Sequence, residues 1–229
     1  MSNFSFSWTR LKNWRACPKR HYHIEVAKDI IEPQTEALRW GDEFHKAMAA
    51  YIGEGKPLPA HMEKYDVLPG AIRRTKERGA NVEVEQQLAM DRDFQPTGWR
   101  DWDKTWLRGI ADVLIVAQSK KRAAAFDWKT GQKIDPSMEQ LGLSAALIFA
   151  KYPEIETVHT AYYWVAHNAD TEAVYQRDDM LPFWNKLLPE LKRWEKDASE
   201  MTYPPRPSGL CKRHCPVTHC AYHGKGSYQ

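Results

Sequence analysis

Residues 109–131, GIADVLIVAQSKKRAAAFDWKTG, constrain the fold of this chain more than any other stretch. They read as two apolar runs, Gly109 to Ala117 and Ala123 to Trp128, joined by the polar residues Gln118 to Arg122. That is the pattern of a β-hairpin. One acid interrupts each run, Asp112 and Asp127. A turn centred on Ser119–Lys120 sets Gln118 against Lys121, and the same register sets Asp112 against Asp127. Cross-strand neighbours stand about 4.5–5.5 Å apart at Cβ. Two carboxylates that close repel each other unless a cation lies between them. Strand side chains alternate, so Asp127 and Lys129 share a face and Trp128 points away. One small surface then carries two hard oxygen ligands and an ammonium, a set suited to a divalent metal, a phosphate and an activated water.

Acids in a hairpin are commonly solvated edge residues. Here both are flanked by apolar residues, Ile110, Ala111, Val113 and Leu114 around one and Ala125 and Phe126 beside the other, which places the hairpin centrally. Charge buried there without a partner is costly, so the flanks favour a functional reading.

The rest of the chain supplies helices around this hairpin. Ser5 or Ser7 can cap a helix reaching Ala16. Glu36 to Ile52 has helical spacing of Leu38, Phe44, Met48 and Tyr51, with Gly41 and His45 one turn apart on one face. Met62 to Arg78 reads as a helix broken near Pro69–Gly70. Its cluster Arg73, Arg74, Lys76 and Arg78 is either a backbone-binding patch or a solvated face. Val82 to Met90 alternates as a strand, with Glu83 and Glu85 on one side. Phe94 to Lys104 is a polar loop containing tryptophan. Asp135 and Pro136 fit the cap and first position of a helix reaching Ala150. Thr157 to Val165 and Glu172 to Gln176 read as strands, and Asp178 to Ser199 as mostly helix. Tyr203 to Gly209 is an extended, Pro-rich linker. This order implies an α/β fold, a central mixed sheet flanked by helices.

The 229 residues fit a single domain, with a core of about residues 36–200 between a segment 1–35 and a tail 201–229. A net charge of +3 permits a nucleic-acid partner without requiring one. Among ten Trp and ten Tyr, most read as core and some as stacking platforms for bases. No Gly-rich phosphate loop or G-x-S-x-G elbow occurs, which argues against P-loop NTPases and serine hydrolases. The start MSNFSFSWTR has no signal-peptide pattern, and no apolar run reaches membrane-spanning length. A cytoplasmic protein without membrane contact is expected.

Taken in series, these residues resemble the PD-(D/E)XK nuclease superfamily, and within it the RecB-like branch that includes phage exonucleases. Gly41-Asp42-Glu43-Phe44-His45 is similar to that branch's G-x-x-x-H helix, Gly109-Ile110-Ala111-Asp112 to its G-x-x-D strand, and Asp127-Trp128-Lys129-Thr130-Gly131 to its D-x-K-T-G turn. The resemblance implies a restriction-endonuclease-like core and a Mg²⁺- or Mn²⁺-dependent deoxyribonuclease, an exonuclease of phage-type recombination or repair. It assigns Asp112, Asp127, His45 and the Trp128 carbonyl to the metal. Lys129 is assigned to the attacking water, and Glu85 and Gln140 join it as catalytic residues, Glu85 near the site on the neighbouring strand and Gln140 reaching DNA or the site from the first turns of its helix. Four residues after Gln140, where the branch often has tyrosine, this chain has Ser144. The implied partners are DNA and a recombination or single-strand-binding protein, in the host cytoplasm if the chain is phage-encoded.

Four cysteines remain: Cys17, then Cys211, Cys215 and Cys220. The resemblance implies a [4Fe–4S] cluster joining the N-terminal segment to the tail. The branch spaces its tail cysteines C-x2-C-x5-C, whereas here they read C-x3-C-x4-C. Zinc is the alternative, with His214, His219 and His223 as substitute ligands, and free thiols are the third reading. Two functions of other kinds stay open: a non-catalytic nucleic-acid-binding module with a metal-stabilised tail, and a nuclease acting on RNA.

Overall fold

The computed structural model describes residues 4–225. They divide into two compact units, one from Gln34 to Trp184, the other made of the residues through Pro33 and those from Asn185 onward.

The Gln34–Trp184 unit is a five-stranded sheet whose strands stand in chain order. They are β1 (Asn81–Met90), β2 (Leu107–Ala117), β3 (Arg122–Lys129), β4 (Thr157–Trp164) and β5 (Ala169–Gln176). The pairings are antiparallel except for β3 with β4, which are parallel, so the sheet is mixed. A parallel pair needs a crossover, and the helix between these two strands, α5 (Met138–Lys151), supplies it. The sheet is the mixed, helix-flanked α/β architecture of a restriction-endonuclease-like core.

Helix α3 (Glu36–Glu54) starts where the Thr35 hydroxyl accepts from the Leu38 N–H at 3.2 Å and ends at Gly55, whose φ of 74° is left-handed. Its buried face of Phe44, Met48 and Ile52 packs with Val82, Val113, Trp128 and Tyr163 of the sheet. Helix α4 (Val67–Glu77) contains Pro69 and Gly70 rather than breaking there. A proline in the first turn forfeits only an N–H that has no helical partner. The interruption falls earlier, at Asp66, after a short 3₁₀ turn. Helix α5 (Met138–Lys151) begins later than Asp135–Pro136 would place it, with Ser137 in the cap position. Eight of its residues are buried, and a Cβ on Gly142 would stand 2.4 Å from the Phe183 ring. At its end the Arg177 guanidinium collects carbonyls of Phe149, Tyr152 and Ile155, satisfying groups that a helix terminus leaves open.

The other unit contains α1 (Trp8–Ala16), the single turns α2 (Pro18–His21) and α7 (Leu210–Arg213), and most of α6 (Met180–Ser199). Ser7 caps α1. Its core is aromatic: Trp194, 1% exposed, meets the Phe4 ring edge-on at 4.9 Å and stacks on Trp14 at 5.6 Å. Among the described residues, no helix is long and apolar enough to cross a membrane.

Candidate functional site

The β2–β3 ladder has the register that the turn implies, running from Ala117–Arg122 to Val113–Phe126. Continued by one step it sets Asp112 opposite Asp127, but the hydrogen-bonded pairing ends first. The freed Trp128 N–H donates instead to Asp112 Oδ2 at 2.7 Å. The other carboxylate oxygen of Asp112 lies 3.1 Å from His45 Nδ1. Asp112 is only 7% exposed, and these two contacts are what its burial requires.

Strand β1 adds the third group. Val84 pairs with Val113 and Gln86 with Ala111, which leaves Glu85 across from Asp112. Glu85 has a left-handed φ of 49°, uncommon for a residue with a side chain. The usual alternation slips here. Glu83 points toward α5, accepting from Tyr152 at 3.0 Å, whereas Val84 packs in the core with Phe44 of α3. Glu85 then also turns to the α3 side, where its carboxylate, His45 and Asp112 place one ligand atom each within 4.8 Å of one another. Strict alternation puts Glu83 and Glu85 together; the left-handed backbone separates them. One imidazole nitrogen and two carboxylate oxygens in that space can hold a divalent cation, and a nitrogen in the set suits manganese better than magnesium.

Asp127 and Lys129 share a face, as the period of two demands, and the Trp128 ring is buried between Phe44 and Tyr163. Lys129 Nζ lies 2.6 Å from Asp127 Oδ2. Gln140, in the first turn of α5, donates to Asp127 Oδ1 at 2.9 Å and accepts from Lys129 at 3.2 Å. Asp112 therefore engages α3 and Asp127 engages α5, while the two carboxylates remain close enough for each charge to act on the same surroundings. Glu85, expected near the site as a catalytic residue, stands within the group that could hold a metal, while Asp127 is held by Lys129 and Gln140.

The electrostatics tie these groups together. Desolvation, with the Asp112 charge adding to it and Lys129 opposing it, pushes the Asp127 carboxyl up to about 6. Burial also raises Glu85, helped by Asp112 and opposed by His45. Burial alone would lower His45, but its hydrogen bond to Asp112 and the charges of Asp112, Asp127 and Glu85 outweigh it and raise the pKa. Asp127 and Glu85 therefore hold a proton more firmly than isolated carboxyls do, because burial and a neighbouring negative charge both oppose ionisation.

Tyr162 is the residue that sequence reasoning missed. Its backbone pairs with Asp127, its one hydroxyl proton is within reach of Gln140 Oε1 at 3.0 Å and of the Ser137 carbonyl at 2.8 Å, and Lys129 Nζ lies 4.7 Å from its ring centre. Burial and the Asp127 charge raise its pKa, so it stays a neutral donor. Only the β3–β4 register reveals this, and that register is set across α5.

In the other unit, Cys17, Cys211, Cys215 and Cys220 line one pocket, unbonded to each other, with Arg20 and Arg206 beside them. Burial, together with neighbouring Cys17 and Cys211, raises the Cys215 thiol. The Arg206 N–H points at Cys17 Sγ at 3.3 Å and the Ser208 N–H at Cys211 Sγ at 3.5 Å. Convergent sulfurs that receive N–H donors and face cations are a donor set fit for a metal-thiolate centre.

A model of the PD-(D/E)XK nuclease superfamily matches residues 5–220. No curated protein matches the chain. Among solved structures, the chain is similar to the crystal structure of SSO0001, with 16% identity, 97% of this chain and 88% of that chain covered, and a TM-score of 0.42. Nothing is carried over from so distant a likeness.

Proposed function

Since the chain belongs to the PD-(D/E)XK nuclease superfamily, we propose that it is a divalent-metal-dependent deoxyribonuclease, and an exonuclease. The observation that carries this reading is the meeting of His45, Glu85 and Asp112 beside an Asp127–Lys129 pair held by Gln140. His45, Glu85 and Asp112 hold the metal, with Asp127 and the Trp128 carbonyl completing the set. A bound Mg²⁺ or Mn²⁺ supplies Lewis acidity and lowers the pKa of water.

The remaining work falls to the side chains. Lys129 places a positive charge where a water and the scissile phosphate meet, favouring hydroxide-like character and offsetting charge in the transition state. Gln140 fixes both Lys129 and Asp127, and Tyr162 fixes Gln140. His45 holds the Asp112 carboxylate in place by its Nδ1 contact.

The biological setting follows the same reading: phage-type recombination or repair in the cytoplasm, alongside a recombination or single-strand-binding protein. We assign the four cysteines to a [4Fe–4S] cluster, the converging thiols and their N–H donors being the support. Iron analysis of protein prepared without oxygen tests this. About four irons per chain are expected for the cluster, and stoichiometric zinc without iron replaces it with a zinc site.

The nuclease reading is tested with end-labelled linear and circular DNA in Mg²⁺ or Mn²⁺. Cleavage of linear DNA alone is expected, lost in Asp112→Asn, Asp127→Asn and Lys129→Ala. Near wild-type turnover in any of these variants removes that residue from the site. Cleavage of RNA in preference to DNA changes the substrate class.

A further inference from the structure

Beyond the Glu85–Asp112 position the β1–β2 hairpin continues outward, and its loop carries a cation–aromatic cluster that no part of the proposed chemistry uses. Arg108 of β2 lies with its guanidinium 4.5 Å from the Trp102 ring centre and 5.6 Å from that of Trp99. Trp102 is 64% exposed. A tryptophan that open in a soluble chain gives up burial, and such a residue commonly marks a contact surface.

The loop under it is held by its own hydrogen bonds and ring contacts. Thr105, 1% exposed, donates to the Gly98 carbonyl at 3.1 Å and bonds the Thr97 hydroxyl at 3.1 Å. Asp91 Oδ1 accepts the N–H groups of Asp93 and Gln95 at 2.9 and 2.8 Å, and Asp101 Oδ1 accepts that of Lys104 at 3.2 Å. Phe94 and Trp106 pack on Trp184 at 5.1 and 5.4 Å. The loop is thus anchored by Thr105, Trp106 and Trp184, and two of its carboxylates are engaged by its own turns. Trp102 is available as a preorganised face.

The cluster is also continuous with the site. A Cβ on Gly109 would meet Leu147 of α5 at 2.9 Å, so Gly109 faces α5 and its neighbours Arg108 and Ile110 face the other way. That is the side to which Asp112 turns for His45. Ile110, between Arg108 and Asp112 on this face, is 45% exposed. From Asp112 to Arg108 is four residues, about 13 Å along a strand. An open track of one apolar and one cationic side chain therefore leads from the metal-ligand group to the two indoles that Arg108 meets.

We propose that Trp102, Trp99 and Arg108 form a stacking platform for the unpaired bases of single-stranded DNA, holding the strand whose backbone lies at the metal-ligand group; this deepens the nuclease reading and rests on it. Aromatic faces take any base, Arg108 braces both indoles by cation–π contact, and a duplex keeps its bases stacked on one another and out of reach. The platform therefore selects an unpaired end or strand over a blunt duplex.

The test is fluorescence anisotropy of labelled oligo-dT and of a blunt duplex with the full chain in EDTA, where no cleavage occurs. Loss of one stacking contact is expected to weaken oligo-dT binding of Trp102→Ala by roughly ten-fold. Trp102→Phe retains most of the affinity, duplex binding changes little, and the melting temperature stays that of the wild type because Trp102 is exposed. Wild-type oligo-dT affinity in Trp102→Ala overturns the platform, as does an equal loss for both DNAs. Cleavage in Mn²⁺ is read separately. A wild-type protein that cuts nothing removes the nuclease reading, while the binding comparison still judges the platform. A protein that cuts but whose oligo-dT affinity ignores Trp102 removes the platform alone.

Discussion

His45 Nδ1 lies 3.1 Å from Asp112 Oδ1, so without a metal each of these groups is the other's partner. A cation competes with that contact and with protons on the imidazole. His45→Ala is therefore expected to raise the Mn²⁺ concentration needed for half-maximal cleavage by about 10–100-fold, with activity returning as metal is added. Metal titration of cleavage checks this. A loss that no amount of Mn²⁺ restores gives His45 a role other than holding metal.

Asp127 makes the metal-free fold sensitive to pH. Its pKa is raised from 3.8 to about 6, so the folded state binds its proton more tightly than the unfolded chain does. The carboxylate's cost is fully present above pH 6 and is relieved as pH falls toward 4. The upward shifts of Glu85 and His45 have the same sign. Asp127→Asn should stabilise metal-free protein at pH 8 by about 1–3 kcal/mol and at pH 4 by little. Urea unfolding at the two pH values measures the difference. An equal effect at both assigns the change to packing.

Glu85 holds a left-handed backbone at a strand position. Glu85→Gly removes that strain and one of three neighbouring carboxylates, so the metal-free protein should keep or gain stability, by up to about 1 kcal/mol. Its metal affinity and cleavage should fall together. Glu85→Val, β-branched where φ is positive, should lose stability as well. Calorimetry of the two variants separates backbone from ligand effects.

Cys17 is distant in sequence from the three tail cysteines whose pocket it shares. Tying the ends of a long loop is worth about 3–5 kcal/mol by analogy with disulfides. Cys17→Ala should melt earlier and expose residues 4–23 and 210–225 to protease, with activity per folded molecule unchanged at low temperature. A folded but inactive variant would give the proposed cluster a part in DNA engagement.

How much of this was legible depended on whether a contact is local in sequence. The Asp112–Asp127 register could be read because a short turn fixes it. Burial of Trp128 and pairing of Lys129 with Asp127 follow from alternation alone. The slip at Glu85 could not be read, because a left-handed residue breaks the same alternation that would predict it. Tyr162 was hidden because its neighbour Asp127 is joined to it across an entire helix. Gly41 was visible as a glycine one turn from His45, but not its reason: a Cβ there would stand 3.2 Å from the Thr130 hydroxyl, just past Lys129. Helix boundaries near Pro69 and Pro136 shifted because proline is tolerated in a first turn and just before one.

Strands that stand in chain order also order events during synthesis. As the chain leaves a ribosome, β1 can pair with β2 and β2 with β3 before any residue beyond Lys129 has emerged. His45 has already emerged by then, whereas Gln140 and Tyr162 have not. The nascent protein would hold its cation-binding acids before it holds the helix that positions Asp127 and Lys129.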